Sequence, residues 1–180
     1  MLYRFLYNEN QFTFSVVRAD TGEKIIDTNV PGMNTLVFED QYMEISFRLT
    51  KDPFIYGLGE VVTTLRRDPR GTFHTIWNRD VATPVGENIY GAQPFYLEIR
   101  NGTAYGVFLR NSNGMDIAIT PGNPAKLNWK GKNKFFFRIL FENIILTLYL
   151  LSKVIGGVFD FYIFLGPTPS DVIAQYTKVK

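Results

Sequence analysis

Trp77-Asn78-Arg79-Asp80 puts an aromatic ring, a guanidinium and a carboxylate within four consecutive residues. That set suits a polyol: the indole packs on the apolar face of a sugar ring while the charged groups bind its hydroxyls. Trp77, Arg79 and Asp80 are therefore the candidate substrate-binding residues. A plainer reading competes, in which Trp77 belongs to the core and Arg79 pairs with Asp80 or caps a turn. His74 is the only histidine of the chain. A general base needs a partner that orients it, and none is recognisable, so a packed or surface histidine is the ordinary reading. No catalytic residue is assigned.

Composition removes other chemistries. Without cysteine there are neither disulfides nor thiolate zinc sites, and one histidine excludes a histidine-rich metal site. No metal or cofactor is expected. Nineteen Lys and Arg against seventeen Asp and Glu leave a net charge of +2 with no basic run, so nucleic acid is not an expected partner. Gly57 and Gly59 in Phe54–Glu60 lack the Lys-Ser/Thr and following helix of a phosphate loop; a bent strand with close backbone approach fits them better. The N-terminus has no sustained apolar stretch and does not read as a signal peptide. The sequon Asn101-Gly102-Thr103 has meaning only in a secreted protein, so the compartment stays open.

The elements that must position the candidate residues are strands. Leu2–Tyr7, Phe12–Val17, Lys24–Asp27, Leu36–Phe38 and Tyr42–Arg48 are short apolar or alternating runs, with turns at Asp20-Thr21-Gly22-Glu23 and Pro31-Gly32. Phe95–Ile99, Tyr105–Leu109 and Met115–Ile119 follow, punctuated by Asn101-Gly102 and Asn113-Gly114, and predict three antiparallel strands in succession. Strands at about ten-residue intervals indicate an all-β sandwich or barrel. Residues 61 to 93 read as one long irregular region that carries the candidate site, because long loops in compact domains are usually functional or disordered.

Five blocks in order then become familiar: Tyr56–Glu60, Ile76–Asp80, Tyr90–Leu97, Gly106–Asn113 and Gly156–Pro167. Together they resemble the N-terminal β-sandwich domain of family 31 glycoside hydrolases, the α-glucosidases that include maltases, sucrase-isomaltase and lysosomal acid α-glucosidase. The resemblance spans residues 54 to 129 and 154 to 177. It implies an antiparallel β-sandwich of the galactose mutarotase-like supersandwich kind, truncated, with a short C-terminal helix at Ser170–Tyr176. In that family a (β/α)8 barrel follows the sandwich and supplies both carboxylates of a retaining mechanism. The expectation is one domain over residues 1–180 without that barrel, inactive alone, packing on a barrel in its parent. The ligand of the parent would be an α-glucoside or maltooligosaccharide. By resemblance Asp80 would hydrogen-bond sugar hydroxyls near the barrel mouth, with Arg79 supporting it. The alternatives are a stand-alone carbohydrate-binding sandwich, and a membrane-attached interaction module.

The sequence departs from the family pattern at 131–152. Here a Phe-, Ile- and Leu-rich segment interrupts what would be a nearly direct run from Trp129-Lys130 to Val154-Ile155. As a membrane span, Phe135 to Leu151 is short and holds Arg138, Glu142 and Asn143, so membrane insertion is not expected. As an amphipathic helix its apolar residues cover too much of the circumference. A translated intron fits better: Gly131-Lys132 can encode a GT donor, Ile145-Leu146-Thr147 can contain TACTAAC, and Ser152-Lys153 can contribute the closing AG. The segment carries the whole net charge of +2. If it is translated, the final strand, Gly157–Leu165, is expected to pair only with the segment looped out, leaving exposed apolar surface that favours aggregation.

Overall fold

The computed structural model describes residues 3–30, 35–39, 42–120, 126–131, 137–141, 144–148 and 159–179. In chain order the strands are β1 (Tyr3–Asn8), β2 (Thr13–Arg18), β3 (Lys24–Asp27), β4 (Leu36–Glu39), β5 (Tyr42–Arg48), β6 (Phe54–Val61), β7 (Thr72–Ile76), β8 (Asn88–Arg100), β9 (Thr103–Leu109), β10 (Met115–Thr120), β11 (Lys126–Gly131), β12 (Phe137–Phe141), β13 (Ile144–Leu148) and β14 (Phe159–Phe164), followed by α1 (Pro169–Tyr176). They form three sheets, ordered β1-β2-β3, β4-β5-β11-β10-β7 and β13-β12-β14-β9-β8-β6. Pairing is antiparallel except between β12 and β14. The chain is the antiparallel β-sandwich with one short C-terminal helix that the sequence predicts.

Period-two alternation explains which face each strand buries. In β10, Met115, Ile117 and Ile119 are buried while the residues between them are half-buried. They meet Ile45 and Phe47 of β5, Val107 and Leu109 of β9 and Phe161 of β14 in one core. The Phe47 and Phe161 rings cross edge to face at 5.3 Å, which joins the two large sheets, and Phe14 of β2 reaches Phe47 at 6.4 Å. All six residues of β14 are buried. Phe159, Phe161 and Ile163 face the main core, while Tyr162 and Phe164 lie with Val172 under α1. A strand covered on both sides reads as a near-continuous apolar run, here broken by the buried Asp160.

Helix α1 starts on a capping box. Thr168 Oγ1 accepts from the Asp171 N–H at 3.1 Å, and Asp171 Oδ2 accepts from the Thr168 N–H at 3.1 Å. Pro169 occupies the first turn, where its missing N–H costs nothing. Tyr176 stacks on Phe95 at 4.4 Å and meets Phe108 edge-on at 5.3 Å, so the helix fixes the outer aromatic face of β8 and β9.

Three expectations are corrected. First, β8 and β9 form the predicted hairpin, with Asn101 and Gly102 at φ 51° and 79°. However, β10 pairs with β7 and β11 in the other sheet. Neither Asn113 nor Gly114 takes positive φ, so that dipeptide marks a crossover between sheets and not a second hairpin. Second, the irregular region is shorter than expected: β7 lies inside it and β8 begins at Asn88. The extension of β8 opposes β6 across two register shifts, at Gly57/Gly59 and Gly59/Val61. Gly57, at φ 106°, sits where a Cβ would lie 2.5 Å from the Phe95 carbonyl oxygen, which is the bent strand with close backbone approach.

Third, the described parts of 131–152 are paired strands and are not looped out. β12 pairs with β14 and β13 with β12, extending the sheet beyond a strand that would otherwise present an unpaired edge. The rest of that segment, and the first residues of the expected final strand, Gly157 and Val158, lie outside the described residues. Among the described residues no helix is long and apolar enough to cross a membrane.

Candidate functional site

The Asn78-Arg79-Asp80 loop leaves the sandwich at the end of β7 and returns at the start of β8. Its neck is tied. The Arg79 N–H donates to the Ile89 carbonyl at 2.9 Å, and Asn88 Nδ2 donates to the Trp77 carbonyl at 3.0 Å. Gly86 N–H donates to the Val62 carbonyl at 3.0 Å, holding the returning limb. Arg79 Nη2 meets Glu87 Oε2 at 2.8 Å, with both side chains about half exposed. A pair so exposed contributes at most about 1 kcal/mol, so it orients the loop more than it stabilises the fold.

Arg79 therefore pairs with Glu87 and not with Asp80. Asp80 is exposed and, among the described residues, has no hydrogen-bond or ion-pair partner. Trp77 is 58% exposed, which rules out the core reading. Its ring lies against Gly114, where a Cβ would stand 2.2 Å from Trp77 Cε3, so only glycine permits the approach. The structure thus separates the three predicted residues by task. Trp77 is seated on the β9–β10 crossover, Arg79 braces the loop, and Asp80 is left as a free acceptor.

A cavity of about 430 Å³ lies beside this loop. Its walls include Asn78, Pro94, Phe108, Arg110, Asn111 and Ser112. Phe108 is set by Tyr176, and Arg110 Nη1 donates to the Tyr162 hydroxyl at 3.2 Å. Asn111 Oδ1 accepts from the Asn113 N–H at 2.8 Å, which shapes the crossover. The sequence contains Arg110, Asn111 and Ser112 within one of its recognisable blocks, but nothing in their spacing connects them to Asn78, thirty and more residues earlier. Among the described residues no cluster of His, Cys, Asp or Glu could hold a metal ion.

His74 is a packed residue, 9% exposed on the inward face of β7. Burial first, and the Arg67 charge second, hold its pKa below the ordinary 6.5, against a hydrogen bond with the Gly86 backbone. The unfolded chain then binds more protons than the folded one as pH falls below 6.5, so stability is full above that value and is lost as pH falls through the folded pKa. We expect the urea midpoint to drop between pH 7.5 and about 5, and His74→Gln to flatten that drop. Asp68, held at about 2 by its hydrogen bonds to Arg70, acts at lower pH and does not confuse the test. An unchanged wild-type midpoint over this range would contradict the assignment.

The glycosyl hydrolase 31 N-terminal galactose mutarotase-like domain, as a family model, matches residues 3–117. The chain belongs to glycosyl hydrolase family 31. Its relatives include an α-glucosidase of Mucor javanicus, 40% identical over 178 residues, covering 97% of this chain and 17% of the relative. The lysosomal α-glucosidase of Rattus norvegicus is 37% identical, covering 99% of this chain and 16% of the relative. Among solved structures, a glucosidase II alpha subunit bound to Glc1Man2 superposes with TM-score 0.68 at 15% identity, covering 98% of this chain and 22% of that one. At that identity the likeness is one of fold. The chain spans about a sixth of the length of the curated relatives it matches.

Proposed function

We propose that this domain serves an enzyme that hydrolyses terminal α-glucosidic bonds, and that it lends the active site a sugar-contacting loop. Asp80 is the contact: an exposed carboxylate with no protein partner among the described residues accepts hydrogen bonds from sugar hydroxyls without first breaking one of its own. That free acceptor on a loop tied at its neck is the observation that carries the reading. Arg79 supports Asp80 indirectly, by bracing the loop through Glu87, and Trp77 offers an exposed ring against which a sugar face can pack. The retaining chemistry belongs to carboxylates of a barrel, so this domain binds and does not catalyse. The 40% identity to an α-glucosidase supports the substrate class.

Two measurements test this. Sequencing the transcript across the codons for Lys130 to Val154 and past Lys180 should reveal a frame that continues into a barrel; a frame that stops there overturns the enzyme assignment. In the barrel-bearing protein, Asp80→Ala should raise KM for maltose about tenfold, equivalent to about 1.4 kcal/mol of lost binding, and change kcat much less. An unaltered KM would remove Asp80 from the site.

A further inference from the structure

We infer that the cavity beside the loop is a binding site for a single glycosyl unit, distinct from the contact made by Asp80. The inference rests on the reading of the Asn78–Asp80 loop as sugar-facing, because Asn78 forms part of the cavity wall. Small-molecule sites are concave, about 300–1,000 Å³, largely apolar, and carry a few convergent polar groups. This cavity, at about 430 Å³, meets that description with one difference: its polar groups outnumber its apolar ones.

The chemistry of the wall names the ligand class. Half-buried Phe108 gives the wall an apolar surface of the kind that takes the C–H face of a pyranose. Around it stand an amide (Asn78), a guanidinium (Arg110) and a hydroxyl (Ser112), all exposed. Asn78 and Ser112 have no hydrogen-bond partner among the described residues, so each can both donate and accept. Arg110 donates through Nη1 to the Tyr162 hydroxyl, which aims the guanidinium and leaves its other N–H groups for a ligand. No carboxylate lines the cavity, and its single charge is Arg110. A neutral polyhydroxylated ring fits this mixture. A cationic ligand would find no counter-ion, and a purely apolar one would leave the amide and guanidinium unsatisfied.

The wall is also held in advance of binding. Phe108 is packed edge-on to Tyr176 of α1, and Arg110 N–H donates to the Asp160 carbonyl at 2.8 Å. Positioned groups of this kind lose little freedom when a ligand arrives.

The experiment titrates maltose and methyl α-glucoside against the 180-residue chain by saturation-transfer NMR, with Ser112→Trp, Arg110→Gln and Asp80→Ala as variants. Ser112 is exposed, so Ser112→Trp fills the cavity without disturbing the core; an unchanged melting temperature verifies this. The expected result is weak binding of both sugars by the wild type, and binding at least about tenfold weaker with Ser112→Trp and with Arg110→Gln. Binding of methyl α-glucoside as well as maltose means that one unit suffices. Binding lost in Asp80→Ala but unaffected by Ser112→Trp would overturn the cavity site and leave the role of Asp80 standing. No saturation transfer to either sugar at about 10 mM would overturn it as well. Maltose binding without methyl α-glucoside binding would overturn the single-unit assignment.

Discussion

Glu98→Ala is expected to lower the unfolding free energy by about 3–5 kcal/mol, the cost of leaving a buried charge without its partner. Glu98 is fully buried in β8. Its carboxylate receives Arg100 Nε at 2.9 Å and Nη2 at 3.0 Å, and the Tyr105 hydroxyl donates to it as well. Burial first, and the Glu98 charge second, push the Tyr105 hydroxyl well above its ordinary pKa, so it stays protonated and remains a donor. Arg100 also donates through Nη1 to the Lys24 carbonyl at 2.7 Å, and Arg18 Nη2 donates to the Ala104 carbonyl at 3.0 Å. The two arginines therefore connect the small sheet to the β8–β9 hairpin. With alanine at 98, Arg100 keeps its charge beside a void and the Tyr105 hydroxyl loses its acceptor. Urea unfolding at pH 7 measures the loss. The double variant Glu98→Ala/Arg100→Met should recover part of it, because an apolar replacement removes the stranded charge along with the pair. A loss below about 1 kcal/mol for the single variant would show that the network is dispensable.

Arg67→Met is expected to cost about 3 kcal/mol, for a different reason. Arg67 is 4% exposed, and no carboxylate among the described residues pairs with it. Its guanidinium is spent on backbone: Nε donates to the Gly57 carbonyl at 2.6 Å, Nη1 to Thr64 at 3.1 Å and Nη2 to Leu58 at 3.2 Å. Gly57 and Leu58 both lie at positive φ, and Leu58 is a fully buried side chain in that sparsely allowed region. Arg67 thus supplies donors to the bend at the first register shift of the β6–β8 ladder. Methionine fills similar volume but satisfies none of the three acceptors, each worth about 1–3 kcal/mol if left dry; water entering beside the bend offsets part of that sum. Lysine should recover less than half, since one ammonium cannot span the fork of a guanidinium. A methionine variant as stable as the wild type would show that water solvates the bend fully. Because Arg67 also depresses the pKa of His74, Arg67→Met should shift the pH dependence of stability toward that of an ordinary histidine.

Local signals carried well where one residue decides the backbone. Asn101-Gly102 makes its hairpin because both residues take positive φ. The same dipeptide failed at Asn113-Gly114. There the glycine is needed for what lies above it, the Trp77 ring, and not for its own φ. β7 was missed for a related reason. Thr72–Ile76 is only five residues long and flanked by charged, proline-containing segments, and its strand character comes from pairing with β10, forty residues on.

By itself the sequence determined the class of fold, the hairpin, the short C-terminal helix, the family and the loop that carries Asp80, since each follows from neighbouring residues or from motifs in order. Only the tertiary structure decided that Arg79 turns to Glu87, that Trp77 is exposed on Gly114, and that Asn78 shares a cavity with Arg110 and Ser112. Those outcomes depend on which strands become neighbours. Two sheets stacked face to face bring together residues far apart in the chain, and no local propensity records which loop ends will meet at their rim.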